Sequence, residues 1–140
     1  MKVFIKKLRS QESGYKGDEP SQRGTYILIF KGDWDLFPPL TKSTLNDFTS
    51  IRLIIIGKNQ YVGANYVYHN AKHFPKYGLK KKHDERRIYR NKALDQSLKL
   101  DKDVIIAFFK DEEKNLLVTS FCPDDRHYSE WEKLSEKKSN

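Results

Sequence analysis

The segment DVIIAFFK, DEEKN, LLVTSFC (103–122) constrains the fold of this chain more than any other stretch. Two runs of β-branched and aromatic residues, each of strand length, flank a short polar connection, which is the pattern of a β-hairpin. Similar runs recur at KVFIKKL (2–8), where apolar and basic residues alternate enough to leave one solvated face, and at TYILIFK (25–31). IRLIIIGKNQYVGANYVYHN (51–70) reads as two strands around a turn at 57–59, with Ile54 to Ile56 too apolar to face water. Helical signals are brief. GDWDLFPPL (32–40) permits one turn that packs Trp34, Leu36 and Phe37 before Pro38 and Pro39 stop it. LDQSLKL (94–100) is a short helix or a linker, and Asp125 to Lys137 has helical spacing at Tyr128, Trp131 and Leu134 before SEKKSN frays. About six strands with only short helical pieces imply an all-β barrel or sandwich.

A chain of 140 residues with 13% aromatics can bury one core without disulfides or metal, so residues 1–140 are expected to form a single domain despite a mean hydropathy of −0.80. Cys122 is the single cysteine, which excludes an internal disulfide framework and any CxxC metal site and fits a cytoplasmic setting. The start MKVFIKKLRSQ is too short in apolar residues and too charged for a signal peptide, and no window reaches the length of a membrane span.

The net charge of +8 is concentrated. Residues 72–92 carry nine Lys/Arg against Asp84 and Glu85, and residues 6–23 carry five against Glu12, Asp18 and Glu19. Everything else is close to neutral. Diffuse basicity aids solubility, whereas charge confined to two segments makes a surface for a polyanion, most often nucleic acid.

Within KKKHDERRIYRN (80–91) two carboxylates sit among cations. A metal nuclease needs acidic residues that converge on Mg²⁺. Asp84 and Glu85 are neighbours, so on a strand they point to opposite faces, and on a loop they lack a third acidic partner. Gly24-Thr25-Tyr26 and Tyr61-Val62-Gly63 are similar to the paired tripeptides of GIY-YIG nucleases but stand 35 residues apart, far wider than that family's spacing, with no arginine on a following helix. His69, His73, His83 and His127 have no metal-ligand partners at HExxH or CxxC spacing. No catalytic residue and no metal ligand is assigned, and Cys122 closes an apolar strand as a core residue would.

A charge run is ordinarily a solvated loop, but this one uses arginines. Arg86, Arg87 and Arg90 carry planar forks suited to phosphate or guanine, and Glu85 beside them can accept from the N4 amino group of cytosine. Alternatively Glu85 forms a salt bridge that orients Arg86 or Arg87, and the two roles can coexist. Loop 10–24, punctuated by Gly14, Gly17, Pro20 and Gly24, carries Ser10, Gln11, Glu12, Ser13 and Gln22, short hydrogen-bonding side chains able to meet phosphates and base edges.

Six pieces in order, KKLRSQESG (6–14), QRGTYI (22–27), LFPPL (36–40), YVYHNAKHF (66–74), HDERRIYR (83–90) and IIAFFKDEE (105–113), resemble the B3-like DNA-recognition domain of EcoRII-type restriction endonucleases over nearly the whole chain. The resemblance implies an open β-pseudobarrel of about seven strands with one or two short helices. It would present an N-arm (about 9–23) and a C-arm (about 76–90) to the major groove of double-stranded DNA. Base readers would be Glu12, His83, Asp84, Glu85, Arg86 and Arg87. The backbone and arm contacts would be Lys6, Lys7, Arg9, Ser10, Gln11, Ser13, Gln22, Arg23, Tyr26, Lys76, Lys80, Lys81, Lys82 and Arg90. Ser21 stands where the family has a histidine and His83 where it has an arginine, and both arms are longer here. The family reads short C/G-rich sites such as CC(A/T)GG as a specificity or effector module joined to a nuclease domain. This chain is then expected to be non-catalytic and cofactor-free, with Mg²⁺ needed only by a separate, covalently linked nuclease domain. It is expected to be monomeric and to work in a prokaryotic cytoplasm. The readings set against this are a free-standing nuclease and a single-stranded nucleic-acid or RNA-binding module.

Overall fold

The computed structural model describes residues 2–9, 12, 15–16, 19–20 and 26–139, with the side chains of 15–16, 19–20 and 138–139 left out. Most of the predicted N-arm, including Ser10, Gln11, Ser13, Gln22 and Arg23, lies outside the described residues. Within the arm, β2 (Tyr15–Lys16) pairs with β3 (Glu19–Pro20), a small ladder in a segment whose composition predicts no regular structure. Two pairs are enough for a ladder even in Gly- and Pro-punctuated sequence, because Pro20 stands at its end.

Seven strands form one curled half-barrel sheet. β1 (Val3–Lys7), β4 (Tyr26–Ile29), β5 (Phe48–Ile55), β6 (Gln60–His69), β7 (Glu85–Tyr89), β8 (Ile105–Lys110) and β9 (Leu116–Phe121) run in the order β1-β8-β9-β5-β6-β7-β4. The hairpin read at 103–122 is β8–β9, with Ile105 opposite Phe121 and Lys110 opposite Leu116. β5 and β9 pair in parallel and so join two antiparallel groups, β1-β8-β9 and β5-β6-β7-β4. The concave side is filled by alternate residues such as Phe4, Ile27, Leu53, Tyr66, Ile88, Phe108 and Val118, all buried.

β8 is apolar on both faces because both are covered. Its outer face packs against α2 (Tyr128–Ser139), where Trp131 stacks on Phe121 with ring centroids 4.5 Å apart. Leu134, expected on that packed face, is 43% exposed, and Ser135 is buried in its place. At about 100° per residue, Ser135 returns to the azimuth of Tyr128 and Leu134 does not. Ile56 likewise faces water at the β5–β6 turn, where Gly57 adopts φ +81°. α1 (Lys92–Leu98) starts at Asn91, whose side chain accepts from Leu94 N at 2.8 Å, and it plugs the core with Leu94 and Leu98.

The charge run hides a strand. β7 lies inside the sheet between β6 and β4, with Arg87 opposite Val67 on one side and Leu28 on the other. The sheet's two edges are β1 and β4. Where a closed barrel would continue the backbone ladder, side chains bridge the seam. Lys6 Nζ donates to Leu28 O at 2.9 Å, Leu28 N donates to Glu12 Oε2 at 2.9 Å, and Lys6 and Glu12 pair at 2.7 Å. Edge-strand groups that would otherwise stay unpaired are satisfied this way.

Candidate nucleic-acid interface

Strand parity divides HDERR between two faces. Asp84 and Arg86 point one way, His83, Glu85 and Arg87 the other, and the two sets have different surroundings.

On the face shared with the core, the Arg86 guanidinium lies between two rings, 4.5 Å from the Trp34 centroid and 4.6 Å from that of Tyr68. Its Nη2 approaches Leu40 O at 3.4 Å. Asp84 accepts from Tyr68 Oη at 2.6 Å and from Lys31 Nζ at 2.8 Å, with His73 Nε2 3.5 Å away. Burial alone would raise the Asp84 pKa, but hydrogen bonds from Lys31, Tyr68 and His73 overcome it and hold the carboxyl well below its ordinary range. Burial first, and then Asp84, pushes the Tyr68 phenol up to about 12. This network ties β6, β7 and the 3₁₀ turn Lys31–Leu36 together.

On the opposite face Glu85 is the hub. Its Oε2 accepts from Arg87 Nε at 3.1 Å and Nη2 at 2.9 Å, and its Oε1 meets His83 Nδ1 at 3.2 Å. The salt-bridge role therefore falls to Arg87, not Arg86. The Arg87 guanidinium lies 4.0 Å from the centroid of Tyr26, its diagonal neighbour on β4, where Tyr26 is paired with Tyr89. Tyr89, also on this face, meets His69 Nε2 at 2.6 Å, and the His69 and His83 rings stand 6.2 Å apart. Burial, and after it the charge of Arg87, lowers the His69 pKa. Burial would raise Glu85, but Arg87 and His83 outweigh it and its pKa is lowered, so Glu85 is an anion at neutral pH. Arg87 still has N–H donors that Glu85 does not take.

The structure places Lys6, Lys7, Glu12 and Arg90 away from this surface, as it does Asp84 and Arg86 on the core face. Lys6 and Glu12 are 4% and 1% exposed, with Glu12 also accepting from Arg9 Nε at 3.0 Å, so the Glu12 carboxylate cannot face a base edge. Its four lone-pair directions are met by Lys6 Nζ, Leu28 N and both the backbone N and Nε of Arg9, which is the physical reason it turns inward. Arg90 donates to Glu12 O at 2.5 Å and to Asp95 Oδ1 at 2.8 Å, fastening the root of the N-arm to the segment after β7. Lys7 pairs with Glu132 of α2 at 2.9 Å, on the packed side of β1. Arg9, Lys76, Lys80, Lys81 and Lys82 are exposed.

Sequence reading gave His69 and Tyr89 no place on this surface, where the structure sets them. His69 and Tyr89 are visible only once register is known, since β6 pairs His69 with Glu85 and β4 pairs Tyr26 with Tyr89. Among the described residues no group of three His, Cys, Asp or Glu side chains is set to hold a metal ion. Among them, too, no helix is long and apolar enough to cross a membrane.

Comparison with solved structures places this architecture. The N-terminal domain of Helicobacter pylori LlaJI.R1 superposes with a TM-score of 0.61 at 17% identity, over 98% of this chain and 93% of that one. The B3 domain of the UbaLAI restriction endonuclease, solved with cognate DNA, superposes with a TM-score of 0.50 at 16% identity, over 84% of this chain and 65% of that one. The fold is B3-like. No family model and no curated protein matches the sequence. At such low identity it is the fold that is shared, and the B3-like frame of this chain carries side chains of its own. Its β4-β7-β6 face, with Tyr26, Glu85, Arg87, Tyr89 and His69, and the lysine-rich connection from β6 to β7 are where polar and basic chemistry gathers.

Proposed function

We propose that this chain is a sequence-specific recognition domain for double-stranded DNA in a restriction system, non-catalytic by itself. The observation that carries the reading is the Glu85–Arg87 pair on the solvent-side face of β7, immediately after the exposed Lys80, Lys81 and Lys82. Lysines supply a sequence-blind phosphate grip, while an oriented carboxylate and guanidinium distinguish cytosine N4 from guanine O6 and N7. The side chains of Glu85 and Arg87 are 33% and 12% exposed, so the pair is half-buried and held in register before DNA arrives. Glu85 thus both orients Arg87 and offers an acceptor. His83 joins the reading pair through Glu85, and Arg9, Lys76, Lys80, Lys81 and Lys82 are the phosphate contacts.

The fold neighbours support this reading, since one is the B3 domain of a restriction endonuclease bound to its cognate DNA. Within the proposal fall the finer expectations: the major groove as the surface read, a short C/G-rich site of the CC(A/T)GG type, and the N-arm as the second reading element. A linked nuclease domain supplying Mg²⁺ chemistry, a monomeric state and a prokaryotic cytoplasm belong to it as well.

Selection from a randomised duplex library is the direct test, and it should return one short C/G-rich consensus. Incubation of the protein with that duplex and Mg²⁺ should leave it uncut, and single-stranded RNA should compete weakly. A library that returns no consensus, or an RNA that competes as well as duplex, would overturn the assignment. Lys81→Ala should weaken consensus and random duplex alike and reduce the slope of log affinity against log salt by about one.

A further inference from the structure

The connection between β6 and β7 holds an aromatic residue that the core does not use. Residues 70–84 leave the sheet where His69 and Glu85 are paired and return through a hydrogen bond from Lys72 N to His83 O at 3.0 Å. Along this excursion Lys72, Lys76, Lys80, Lys81 and Lys82 are exposed. In their midst Tyr77 is 56% exposed. A loop whose only task is solubility has no use for a large ring facing water.

The ring is also set in place by its turn. Pro75 opens a 3₁₀ turn over Pro75–Tyr77, closed by Tyr77 N to Phe74 O at 3.2 Å and Gly78 N to Pro75 O at 3.1 Å. Gly78 ends it at φ 64°, a left-handed conformation that a residue with a Cβ rarely adopts. Tyr77 lies nearly parallel to Phe74, with centroids 5.7 Å apart and planes inclined by 15°. The Lys76 ammonium stands 5.7 Å from the Tyr77 centroid. An exposed aromatic flanked by cations combines the two parts of a nucleic-acid stacking site, a π-face for a base and charge for the adjoining phosphate.

We propose that Tyr77 is a DNA-stacking residue. Its ring packs on a base at a loosened step beside the site read by Glu85 and Arg87, while Lys76 holds the neighbouring phosphate. The inference rests on the duplex-recognition reading above and adds a contact independent of hydrogen-bonded base reading. Because the root of the excursion is the Glu85 end of β7, stacking at its tip fixes the register in which the reading pair meets the groove.

The test uses the full chain and the duplex returned by selection, with 2-aminopurine walked through the site and its flanks. Wild type should raise 2-aminopurine fluorescence at one step, and Tyr77→Ala should abolish that rise and lower affinity roughly tenfold to a hundredfold. Tyr77→Ala should leave the salt slope unchanged, whereas Lys76→Ala should reduce it by about one. Tyr77→Trp should retain both affinity and the fluorescence signal. Wild-type affinity in Tyr77→Ala, or a fluorescence rise that survives it, overturns the stacking role while leaving duplex recognition intact. Failure of wild type to select any duplex removes the underlying reading instead, so the two failures are distinguishable. Tyr77 is exposed, and an unchanged melting temperature in Tyr77→Ala separates contact loss from unfolding.

Discussion

Two glutamate-centred ion pairs in this domain look alike in sequence and differ in what surrounds them. Glu12 with Lys6 is almost wholly buried and grips the backbone of Leu28 across the seam between β1 and β4. Glu85 with Arg87 lies on one face of β7, half-buried, with donors left over for a partner. Charge pattern alone makes both glutamates candidate base readers. Burial and the location of their partners separate them, because a carboxylate can read a base only if something other than backbone can reach it.

The sharpest way to break this comparison is at the seam. Glu12→Gln leaves the Lys6 ammonium buried without a counter-charge and weakens the grip on Leu28 N, so it should cost about 3–5 kcal/mol of stability, measured by urea denaturation. Lys6→Met combined with Glu12→Leu should regain part of that loss by removing both charges. Recovery should stay incomplete, since Leu28 N and O then lack their side-chain partners. A Glu12→Gln protein as stable as wild type but poor in site discrimination would return Glu12 to the reading surface.

The corresponding substitution on β7 should show the opposite profile. Arg87→Ala or Glu85→Ala should cut discrimination between the selected duplex and random duplex by about 1–3 kcal/mol, as seen in competition titrations. The midpoint of unfolding should move far less than in Glu12→Gln, because the Glu85–Arg87 pair is partly solvated. Equal losses on both duplexes from Glu85→Ala would reduce Glu85 to a spacer for Arg87.

What the sequence made legible follows the same divide. The 103–122 hairpin, the 51–70 pair and the single turn before Pro38 stand out because apolar burial on a strand or helix leaves a period. β7 leaves none, since its inward positions are Arg86 and Ile88, and Arg86 fills an apolar slot by lying between Trp34 and Tyr68. Lys6 and Glu12 read as surface charges because the atoms they satisfy belong to the backbone of Leu28, far along the chain and carrying no side-chain signal. The concentration of charge in 72–92 marks where basic side chains gather, with HDERR at its centre, but only strand pairing assigns its members to separate faces.

Arg86 sharpens that assignment with a smaller expected effect. Arg86→Lys keeps the charge but loses the planar guanidinium between two rings, so it should cost about 1 kcal/mol of stability. Discrimination between duplexes should be unchanged. A loss of discrimination at constant stability would place Arg86 with Arg87 as a reader.

The smallest effect expected is acid dependence through Asp84, on the same inner side of the strand. Its folded-state pKa is depressed below the ordinary 3.8 because Lys31, Tyr68 and His73 bond its ionised form, against the opposing pull of burial. A depressed carboxylate contributes stability that is fully present above its unfolded pKa and is lost as pH falls through and below that value. The melting temperature of wild type should therefore drop between about pH 5 and pH 3. Asp84→Asn should begin lower at neutral pH and fall less across that window, because the amide cannot take up a proton there. If both proteins lose the same number of degrees between pH 5 and pH 3, the Lys31–Asp84–Tyr68 network does not hold the inner side of β7. The separation of HDERR into an anchored half and a half proposed to read bases would then rest on Arg86 alone.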